Sequence, residues 1–245
     1  MGSAPAENPD PRRVQDSPDS SGENERILIT LPVFNEALHL GQLITDLRKV
    51  TDLDILVIDD GSEDDTPAVL QRVGASCLRH NRNYGKGEAL RSALKAARAW
   101  GYHWIITMDG DGQHDPAALP VFIRTIRSHQ ADFYIGWRQG RGGIMPPLRQ
   151  ISNGISSVLL SLFAGVRFHD AQCGFRAYRT AIPGLDACRE QGFQYESELL
   201  LRLGRLDLRV DEIPIPTRYS GSSSRIRHLR DTLAFLRLLW RSLWW

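Results

Sequence analysis

Long apolar runs are missing from this sequence. No stretch approaches the roughly 18 consecutive apolar residues that a membrane-spanning helix needs. The N-terminal segment also lacks the basic start and the apolar stretch of a secretory signal. We therefore expect a protein that does not cross a membrane by itself.

An excess of charge of either sign is also absent. The 30 Lys and Arg residues nearly balance the 29 Asp and Glu residues, which leaves a net charge of +1. Such a balance gives no general attraction to nucleic acid, so we expect no nucleic-acid partner. Only three cysteines are present, Cys77, Cys173 and Cys188, and they form neither a CxxC pair nor an even set. This pattern favours free thiols in a reducing compartment, and hence a cytoplasmic protein.

The composition divides the chain into three parts. Residues 1–25 are rich in Pro, Ser, Asp and Glu without apolar periodicity, which predicts a disordered tail. Residues 26–224 are enough for one large α/β domain. Residues 225–245 are rich in Arg, Leu and Trp, which predicts a basic amphipathic C-terminal helix.

Strand and helix patterns alternate in the first half of the domain. Aliphatic and β-branched runs predict buried parallel strands at Arg26–Leu31, Asp54–Asp59 and His103–Met108. Apolar residues at helical spacing predict helices at Ala37–Val50, Thr66–Val73 and Glu88–Trp100. The alternation predicts an α/β fold with a doubly wound, Rossmann-like and mostly parallel sheet flanked by helices.

The second half of the domain is less regular. The remaining patterns predict a strand near Phe133–Ile135, a loop over Gly136–Pro147, helices over Leu148–Ala164 and near Glu196–Leu206, and a strand before Pro214.

Acidic residues follow three of the predicted strands. Glu36 follows the first strand, Asp59 and Asp60 the second, and Asp109 and Asp111 the third. Because ligands of doubly wound sheets bind at the carboxyl ends of the strands, these residues mark a candidate site.

The segment Met108–Asp115 carries the strongest local signal. Asp109 and Asp111 are separated by Gly110, which allows the backbone and a ligand to approach closely. Mg²⁺ and Mn²⁺ bind one or two such carboxylates and complete their coordination with substrate phosphates. The alternative is an acidic turn in which Asp109 and Asp115 cap backbone amides.

One other segment is a weaker signal. Asn83–Glu88 is a glycine-flanked lysine that opens a helix, which suits a pyrophosphate but lacks the spacing of a P-loop. No GxGxxG follows the first strand, which disfavours a nicotinamide-dependent dehydrogenase. Asp64 and Thr66 are better interpreted as helix caps than as ligands.

The order of the motifs resembles family 2 glycosyltransferases of the GT-A fold. The first four motifs are PVFNE, VIDDGS, NYGKGEA and MDGDGQHDP, and the later ones are GWR, RQIS, DAQCGFRAY and EIPIP. The later motifs are similar to those of dolichol-phosphate mannose and glucose synthases and of bacterial polyprenyl-phosphate glycosyltransferases. The resemblance spans about Ile27–Leu239.

The resemblance implies a role for each matching position. It implies a nucleotide-sugar donor bound by Pro32, Phe34, Glu36, Ile58, Asp60, Asp109, Gly110, Asp111, Arg218 and Arg225. It implies Mg²⁺ or Mn²⁺ held by Asp109, Asp111 and Gln113, and a polyprenyl-phosphate acceptor bound by Arg138, Arg149 and Ser152. Asp111 and Arg138 would be the catalytic residues. The usual RxxGxSK pattern is one residue longer here and ends in Arg225 instead of Lys.

A phosphate acceptor also determines the expected mechanism. With a second pKa of about 6, a phosphate monoester is largely dianionic near neutral pH, so its attack on the anomeric carbon needs no protein base. One displacement inverts the configuration. One alternative is an enzyme of the same fold that acts on a sugar or lipid hydroxyl and needs a carboxylate base. A second alternative is an inactive binding protein, and the processive-synthase motif QxxRW is absent.

Two predicted helices carry apolar faces suited to a membrane surface. One face is made of Ile151, Ile155, Val158, Leu159, Leu162 and Phe163. The terminal helix combines Arg227, Arg230, Arg237 and Arg241 with Leu and Trp residues, as in interfacial helices. The alternative is that both faces pack on the core and the arginines are solvated. We expect a peripheral protein on the cytoplasmic face of a membrane, with the need for a separate membrane protein left open.

Overall fold

The computed structural model describes residues 25–128, 130–139, 147–192, 194–216 and 228–245. The predicted disordered tail therefore lies outside the described residues, apart from Glu25. Glu25 accepts hydrogen bonds from Trp104 Nε1 and Arg179 Nη1, each at 2.6 Å.

The sheet contains seven strands: β1 (Ile27–Val33), β2 (Asp54–Asp59), β3 (Ser76–Arg79), β4 (Trp104–Thr107), β5 (Phe133–Gln139), β6 (Arg176–Arg179) and β7 (Val210–Pro216). The helices are α1 (Ala37–Val50), α2 (Thr66–Arg72), α3 (Lys86–Ala99), α4 (Leu119–Arg127), α5 (Pro147–Ala164), α6 (Gln194–Leu203) and α7 (His228–Ser242). Short 3₁₀ turns cover Pro116–Ala118 and Leu185–Ala187.

The strand order is β3-β2-β1-β4-β6-β5-β7, which confirms the predicted mostly parallel α/β sheet. β6 is antiparallel to both of its neighbours, β4 and β5, while the other paired strands are parallel. As a result β1, β2, β4 and β5 end on the same side of the sheet, where β6 begins. We call this side the carboxyl edge.

Continuous apolar runs place β1, β2 and β4 in the core. Ile27–Leu31 and Trp104–Thr107 are buried along their whole length, as expected for parallel strands covered on both faces. On α1 the buried residues are Leu40, Leu43, Ile44 and Leu47, the face that the spacing predicts. Full burial of each such side chain contributes about 1.5–3 kcal/mol, so this face fixes α1 on the sheet.

The predicted loop over Gly136–Pro147 is wrong at its beginning, because β5 continues to Gln139. The extension pairs in parallel with β7, from Gly136 opposite Ile213 to Gln139 opposite Pro216. A Cβ at position 136 would lie 2.8 Å from Ile215 Cδ1 and 3.1 Å from the Phe175 carbonyl oxygen. The glycine therefore permits close packing inside the sheet instead of ending the strand.

Helix α7 packs on the domain, which confirms the predicted C-terminal helix from His228 onward. Leu238, Leu239 and Ser242 are buried against the core. The Arg202 guanidinium lies 4.2 Å from the centre of the Trp245 ring, which anchors the end of the chain. Residues 225–227 of the predicted helix lie outside the described residues. Across the described part of the chain, no helix is both long enough and apolar enough to span a membrane.

Candidate active site

The carboxyl edge brings together segments that are far apart in the sequence. These are residues 32–36 at the end of β1 and just after it, 58–62 at the end of β2, 85–87 at the start of α3, 108–115 after β4, Arg138 on β5 and 170–174 before β6. The acidic residues at the three predicted strand ends thus lie on one side of the sheet, as the parallel arrangement requires.

Asp109 is held by a lysine that opens α3. Lys86 Nζ lies 2.5 Å from Asp109 Oδ1 and 2.7 Å from Glu196 Oε2 on α6, and His114 Nε2 lies 3.5 Å from Asp109 Oδ2. Burial alone would raise the pKa of Asp109, but Lys86 and His114 hold that pKa far below its usual range. Burial also opposes the charged form of Lys86, yet the two carboxylates outweigh it and raise the pKa of the ammonium group. Both groups are ionised at neutral pH.

Asp111 and Asp115 make local hydrogen bonds within the same segment. Asp111 Oδ1 accepts from the Gln113 amide at 3.0 Å, and Asp115 Oδ1 accepts from the Ala117 amide at 3.0 Å. The capping alternative from the sequence thus applies to Asp115. Asp109 instead engages charged side chains.

The donor set of this segment fits a hard divalent cation. Within the described residues, no group of three or more His, Cys, Asp or Glu side chains could hold a metal ion. Asp109 and Asp111 offer carboxylate oxygens, which Mg²⁺ binds in ones or twos while phosphates and water complete its octahedron. These two carboxylates therefore fit such a cation only if ligands from outside the protein complete its coordination.

Gly110, between the two aspartates, packs against the end of β1. A Cβ at this position would lie 2.4 Å from Val33 Cγ1. The close approach that the structure shows is to the protein itself, and the predicted approach of a ligand to Gly110 stays a prediction.

Asp60 organises the loop that leads to Lys86. Its Oδ1 accepts from the Tyr84 amide at 3.0 Å and lies 2.7 Å from His80 Nδ1, while its Oδ2 accepts from the Gly85 amide at 2.7 Å. Both oxygens are therefore used within the protein. A direct contact between Asp60 and a nucleoside stays a prediction.

The loop after β1 is fixed by polar contacts with the segment after β2. Asn35 has a left-handed backbone with φ of 54°, its amide donates to Ser62 Oγ, and its Oδ1 accepts from the Glu63 amide. Asp64 Oδ2 accepts from the Ala37 amide at the start of α1, and Thr66 Oγ1 accepts from the Glu36 amide. Asp64 and Thr66 thus join the segment after β2 to the start of α1. Neither is an N-cap residue, because the N-caps of α1 and α2 are Glu36 and Asp65, so the interpretation as helix caps is wrong.

The remaining residues assigned to the nucleoside differ in accessibility. Pro32, Phe34 and Glu36 are half-buried at the carboxyl edge. Ile58 is completely buried in β2, so its side chain does not face the open edge. Beside them, a cleft of about 490 Å³ opens between residues 61–63 and 79–82. Arg79 and Arg82 line this cleft, and the sequence interpretation did not include them.

Arg138 forms a two-pronged ion pair. Its Nε lies 2.6 Å from Asp170 Oδ2 and its Nη2 lies 2.8 Å from Asp170 Oδ1, with both side chains about 10% exposed. Glu212 on β7 accepts from the His169 amide at 2.8 Å, which fixes the segment that carries Asp170. The guanidinium is thus oriented before any ligand binds, and its contact with a phosphate stays a prediction.

The other residues assigned to the acceptor and donor are less fully described. Ser152 is exposed on α5, and Arg149 lies in the first turn of α5, with its side chain outside the described residues. Arg218 and Arg225 also lie outside the described residues.

Arg176 is a supporting residue that the sequence interpretation missed. It is completely buried, and its guanidinium donates to the carbonyl oxygens of Ala171, Cys173 and Glu196 at 2.8–2.9 Å. These bonds join the segment before β6 to the start of α6. The sequence places Arg176 in the DAQCGFRAY motif, but its internal role depends on carbonyl groups that the motif does not reveal.

The sheet topology and the charged residues at its carboxyl edge indicate a family of enzymes. A family model described as "Glycosyl transferase family 2" matches residues 28–182. The chain therefore belongs to the family 2 glycosyltransferases, and it is a glycosyltransferase enzyme of the hexosyl-transferring type.

Two similar proteins carry names that describe a lipid-phosphate acceptor. The chain is 31% identical over 203 residues to an undecaprenyl-phosphate mannosyltransferase of Micrococcus luteus, covering 78% of this chain and 82% of the relative. It is 26% identical over 219 residues to a UDP-N-acetylglucosamine–dolichyl-phosphate N-acetylglucosaminyltransferase of Methanococcus voltae, covering 80% of this chain and 87% of the relative.

A solved structure supports the GT-A fold. Glucosyl-3-phosphoglycerate synthase of Mycobacterium tuberculosis, in complex with Mn²⁺, UDP and glucosyl-3-phosphoglycerate, matches with a TM-score of 0.68 at 20% identity. The match covers 94% of this chain and 85% of that chain. At this identity the likeness shows the fold alone, which confirms the GT-A architecture expected from the motifs.

Proposed function

We propose that this protein transfers a hexose from a nucleotide sugar to a polyprenyl phosphate, with inversion at the anomeric carbon. The observation that carries the proposal is the arrangement of one sheet edge. The Asp109–Asp111 segment and the fixed guanidinium of Arg138 both lie there, on strands separated by β6. The relatives named for undecaprenyl and dolichyl phosphate acceptors support the choice of acceptor.

The donor diphosphate would bind at the Asp109–Asp111 segment. Mg²⁺ or Mn²⁺ held by Asp109, Asp111 and Gln113, when bound, would neutralise charge on the departing nucleoside diphosphate. Pro32, Phe34, Glu36 and Asp60 would surround the nucleoside, with Arg218 and Arg225 near the donor. Ile58 could contact the nucleoside only through its backbone, because its side chain is buried. The cleft beside Ser62 and Arg79 offers additional polar groups for the nucleoside.

The acceptor phosphate would bind at Arg138, Arg149 and Ser152. Asp170 holds the Arg138 guanidinium in place, so the side chain loses little conformational entropy when a phosphate binds. The first turn of α5 supplies amide groups and a helix dipole that favour an anion beside Arg149. These groups would hold an anionic acceptor close to an anionic donor, and the acceptor phosphate would itself attack without a protein base.

The polyprenyl chain requires the site to reach a membrane surface. On α5, the side chains of Ile151, Ile155, Val158 and Leu162 are 57–72% exposed and lie at i, i+4, i+7 and i+11. Leu159 and Phe163 of the same predicted face pack partly against the core instead.

Helix α7 adds a second apolar stripe. Leu233, Leu236 and Trp240 on α7, with Leu243 and Trp244 just past its end, are 49–78% exposed, and the neighbouring Arg237 and Arg241 are exposed as well. Arg227 and Arg230 of the predicted basic face have no described side chains. Exposed apolar stripes with Trp and Arg are typical of interfacial helices. The proposal therefore places α5 and α7 on the cytoplasmic face of a membrane, peripheral and not inserted.

Transfer of labelled sugar tests the proposal. Purified protein is incubated with labelled GDP-mannose, UDP-glucose or UDP-N-acetylglucosamine and with undecaprenyl phosphate, with Mn²⁺ or with excess chelator. We expect a product that extracts into organic solvent, is labile to mild acid, and disappears with the chelator. Undecaprenol and 3-phosphoglycerate are the control acceptors. Transfer only to a control acceptor, or an acid-stable product, would contradict the proposed acceptor, and a lack of transfer to any acceptor would contradict the function.

A further inference from the structure

Lys86 forms an ion pair with the Asp109 carboxylate, which the proposed metal would also need. Its ammonium group lies 2.5 Å from Asp109 Oδ1, a distance at which no cation can share that oxygen from the same direction. The Lys86 side chain is 17% exposed and that of Asp109 is 29% exposed, so water screens the pair only in part. A divalent ion that binds Asp109 must therefore compete with this lysine.

Glu196 gives the lysine a second partner. Its Oε2 lies 2.7 Å from Lys86 Nζ, and its Oε1 lies 3.7 Å from the buried Arg176 Nε. Two cations thus face this carboxylate, so it has charged partners on both oxygens. Lys86 can leave Asp109 and still keep an ion pair with Glu196.

The backbones at both ends of this contact are fixed. Gly85 and Gly87, on either side of Lys86, pack closely against residues 190–192. A Cβ at either position would lie 2.4 Å from a carbonyl oxygen of that segment. Gly87 donates its amide to the Gln191 carbonyl at 2.6 Å, and Arg176 holds the Glu196 carbonyl at 2.9 Å. Any change of partner is therefore limited to the flexible end of the lysine side chain.

We propose that Lys86 is a built-in counter-ion of the metal site, which neutralises Asp109 before the metal–donor complex binds and then withdraws to Glu196 and the donor diphosphate. The inference rests on the proposed metal-dependent donor site. Glu196 is a positioning residue in this scheme, since it acts on the metal through Lys86. Binding of the metal and binding of the nucleotide should therefore be thermodynamically coupled. When the cation displaces Lys86 from Asp109, the diphosphate gives the lysine a new anionic partner.

Binding of Mn²⁺ to the full-length protein tests the inference without requiring activity. Free Mn²⁺ is measured by electron paramagnetic resonance, without nucleotide and with saturating GDP or UDP. Lys86→Met removes the competing cation, so it should bind Mn²⁺ alone about fivefold or more tightly, and the gain in Mn²⁺ affinity caused by nucleotide should shrink. Lys95→Met, an exposed lysine on the same helix, should match the wild type.

Glu196→Gln tests the second partner. Without that carboxylate Lys86 stays on Asp109, so Mn²⁺ affinity should fall by about fivefold or more. In the double variant with Lys86→Met the loss should vanish, because the effect of Glu196 passes through the lysine. Circular dichroism verifies folding, and if Glu196→Gln does not fold, the comparison of Lys86→Met with wild type decides.

The outcomes separate this inference from the proposed function. If Lys86→Met binds Mn²⁺ no more tightly than wild type, while Asp111→Asn abolishes binding, the counter-ion role is wrong and the metal site stands. If the wild type binds no Mn²⁺ even with nucleotide, both the inference and the proposed metal dependence are wrong.

Discussion

Gly174 lies directly against the Asp109 carboxylate. A Cβ at position 174 would lie 2.4 Å from Asp109 Oδ2 and 2.7 Å from its Cγ. The backbone at Gly174 also accepts a hydrogen bond from Thr107 Oγ1 on β4 at 3.1 Å, which prevents the segment from moving away. The segment before β6 therefore determines where the Asp109 carboxylate can be.

Gly174→Ala should displace Asp109 and weaken the proposed donor site. Because Lys86 and the Thr107–Gly174 contact resist movement, the added methyl group strains the site, at a cost of about 1–3 kcal/mol in stability. We expect turnover with labelled donor to fall by about 10-fold or more, as a 1 Å misplacement can cause. Gly154→Ala is the matched control, since a Cβ there meets nothing within 4 Å. Equal activity of the two variants would contradict the role of Gly174.

Asp111→Asn should nearly abolish transfer while leaving the fold intact. The substitution removes the charge of a proposed metal ligand without removing volume, and its hydrogen bond with the Gln113 amide can be kept by the Asn oxygen. We expect a loss of about 100-fold in kcat/KM, with an unchanged melting temperature. Asp115→Asn is the control, because Asn also caps helix starts well. Full activity of Asp111→Asn, or of wild type in excess chelator, would exclude the metal role.

Arg149→Ala and Asp60→Ala should separate the acceptor from the donor. Loss of Arg149 should raise the KM for polyprenyl phosphate or lower turnover by about 10-fold, while nucleotide binding by calorimetry stays the same. Asp60→Ala should weaken nucleotide binding, because it releases the amides of Tyr84 and Gly85 next to Lys86. Arg124→Ala, on the exposed side of α4, is the control for loss of an arginine. The reverse pattern would show that the assignments are wrong.

Stability should depend on pH through the Lys86–Asp109 pair. The raised pKa of Lys86 stabilises the fold below its unfolded value of about 10.4, and the lowered pKa of Asp109 does so above its unfolded value of about 3.9. Their joint contribution is present from about pH 5 to 9 and is lost as pH falls through the lowered pKa of Asp109 or rises through the raised pKa of Lys86.

Lys86→Met should therefore cost stability in a pH-dependent way. Near pH 7 it leaves Asp109 and Glu196 without their shared cation, at a cost of about 1–3 kcal/mol for this partly exposed group. Near pH 4 Asp109, without the lysine that lowers its pKa, can bind a proton, so the cost should be smaller. Urea unfolding at both pH values measures this difference, with Lys95→Met as control. A cost that is equal at both values would contradict the ion-pair account.

Continuous apolar runs made much of the fold predictable. Ile27–Leu31 and Trp104–Thr107 are buried throughout, so hydrophobicity alone identifies these strands. Ser76–Arg79 was not predicted, because this edge strand has mostly exposed side chains and no apolar pattern. The extension of β5 through Gly136 was also missed, because it depends on pairing with β7.

The site was predictable only in part, for a related reason. Strand-end carboxylates such as Asp109 follow from local sequence and topology. The partners of these groups do not: Glu196 meets Lys86, and Asp170 meets Arg138, only after the chain has folded. Such long-range ion pairs leave no pattern of fixed residue spacing in the sequence.

The last prediction concerns the apolar stripes of α5 and α7. Deletion of α7 after Thr232 is a poor test, because Leu238, Leu239 and Ser242 are buried and their loss would expose the core. Point variants avoid this problem. Trp240→Ser with Trp244→Ser, and separately Ile155→Asn with Leu162→Asn, change only exposed positions, where the side chains are 57–78% exposed.

Flotation with liposomes measures the effect of these variants. Wild type should float with anionic liposomes that contain polyprenyl phosphate, and binding should fall with added salt, since each nearby Arg contributes about 1 kcal/mol that salt screens. Each double variant should lose most of the binding while nucleotide affinity and melting temperature stay the same. Leu38→Asn, at an 85% exposed position on α1, which belongs to neither stripe, should float like wild type. If wild type stays in the soluble fraction, the membrane role is wrong. If the α7 variant alone loses binding, the α5 stripe does not take part in docking.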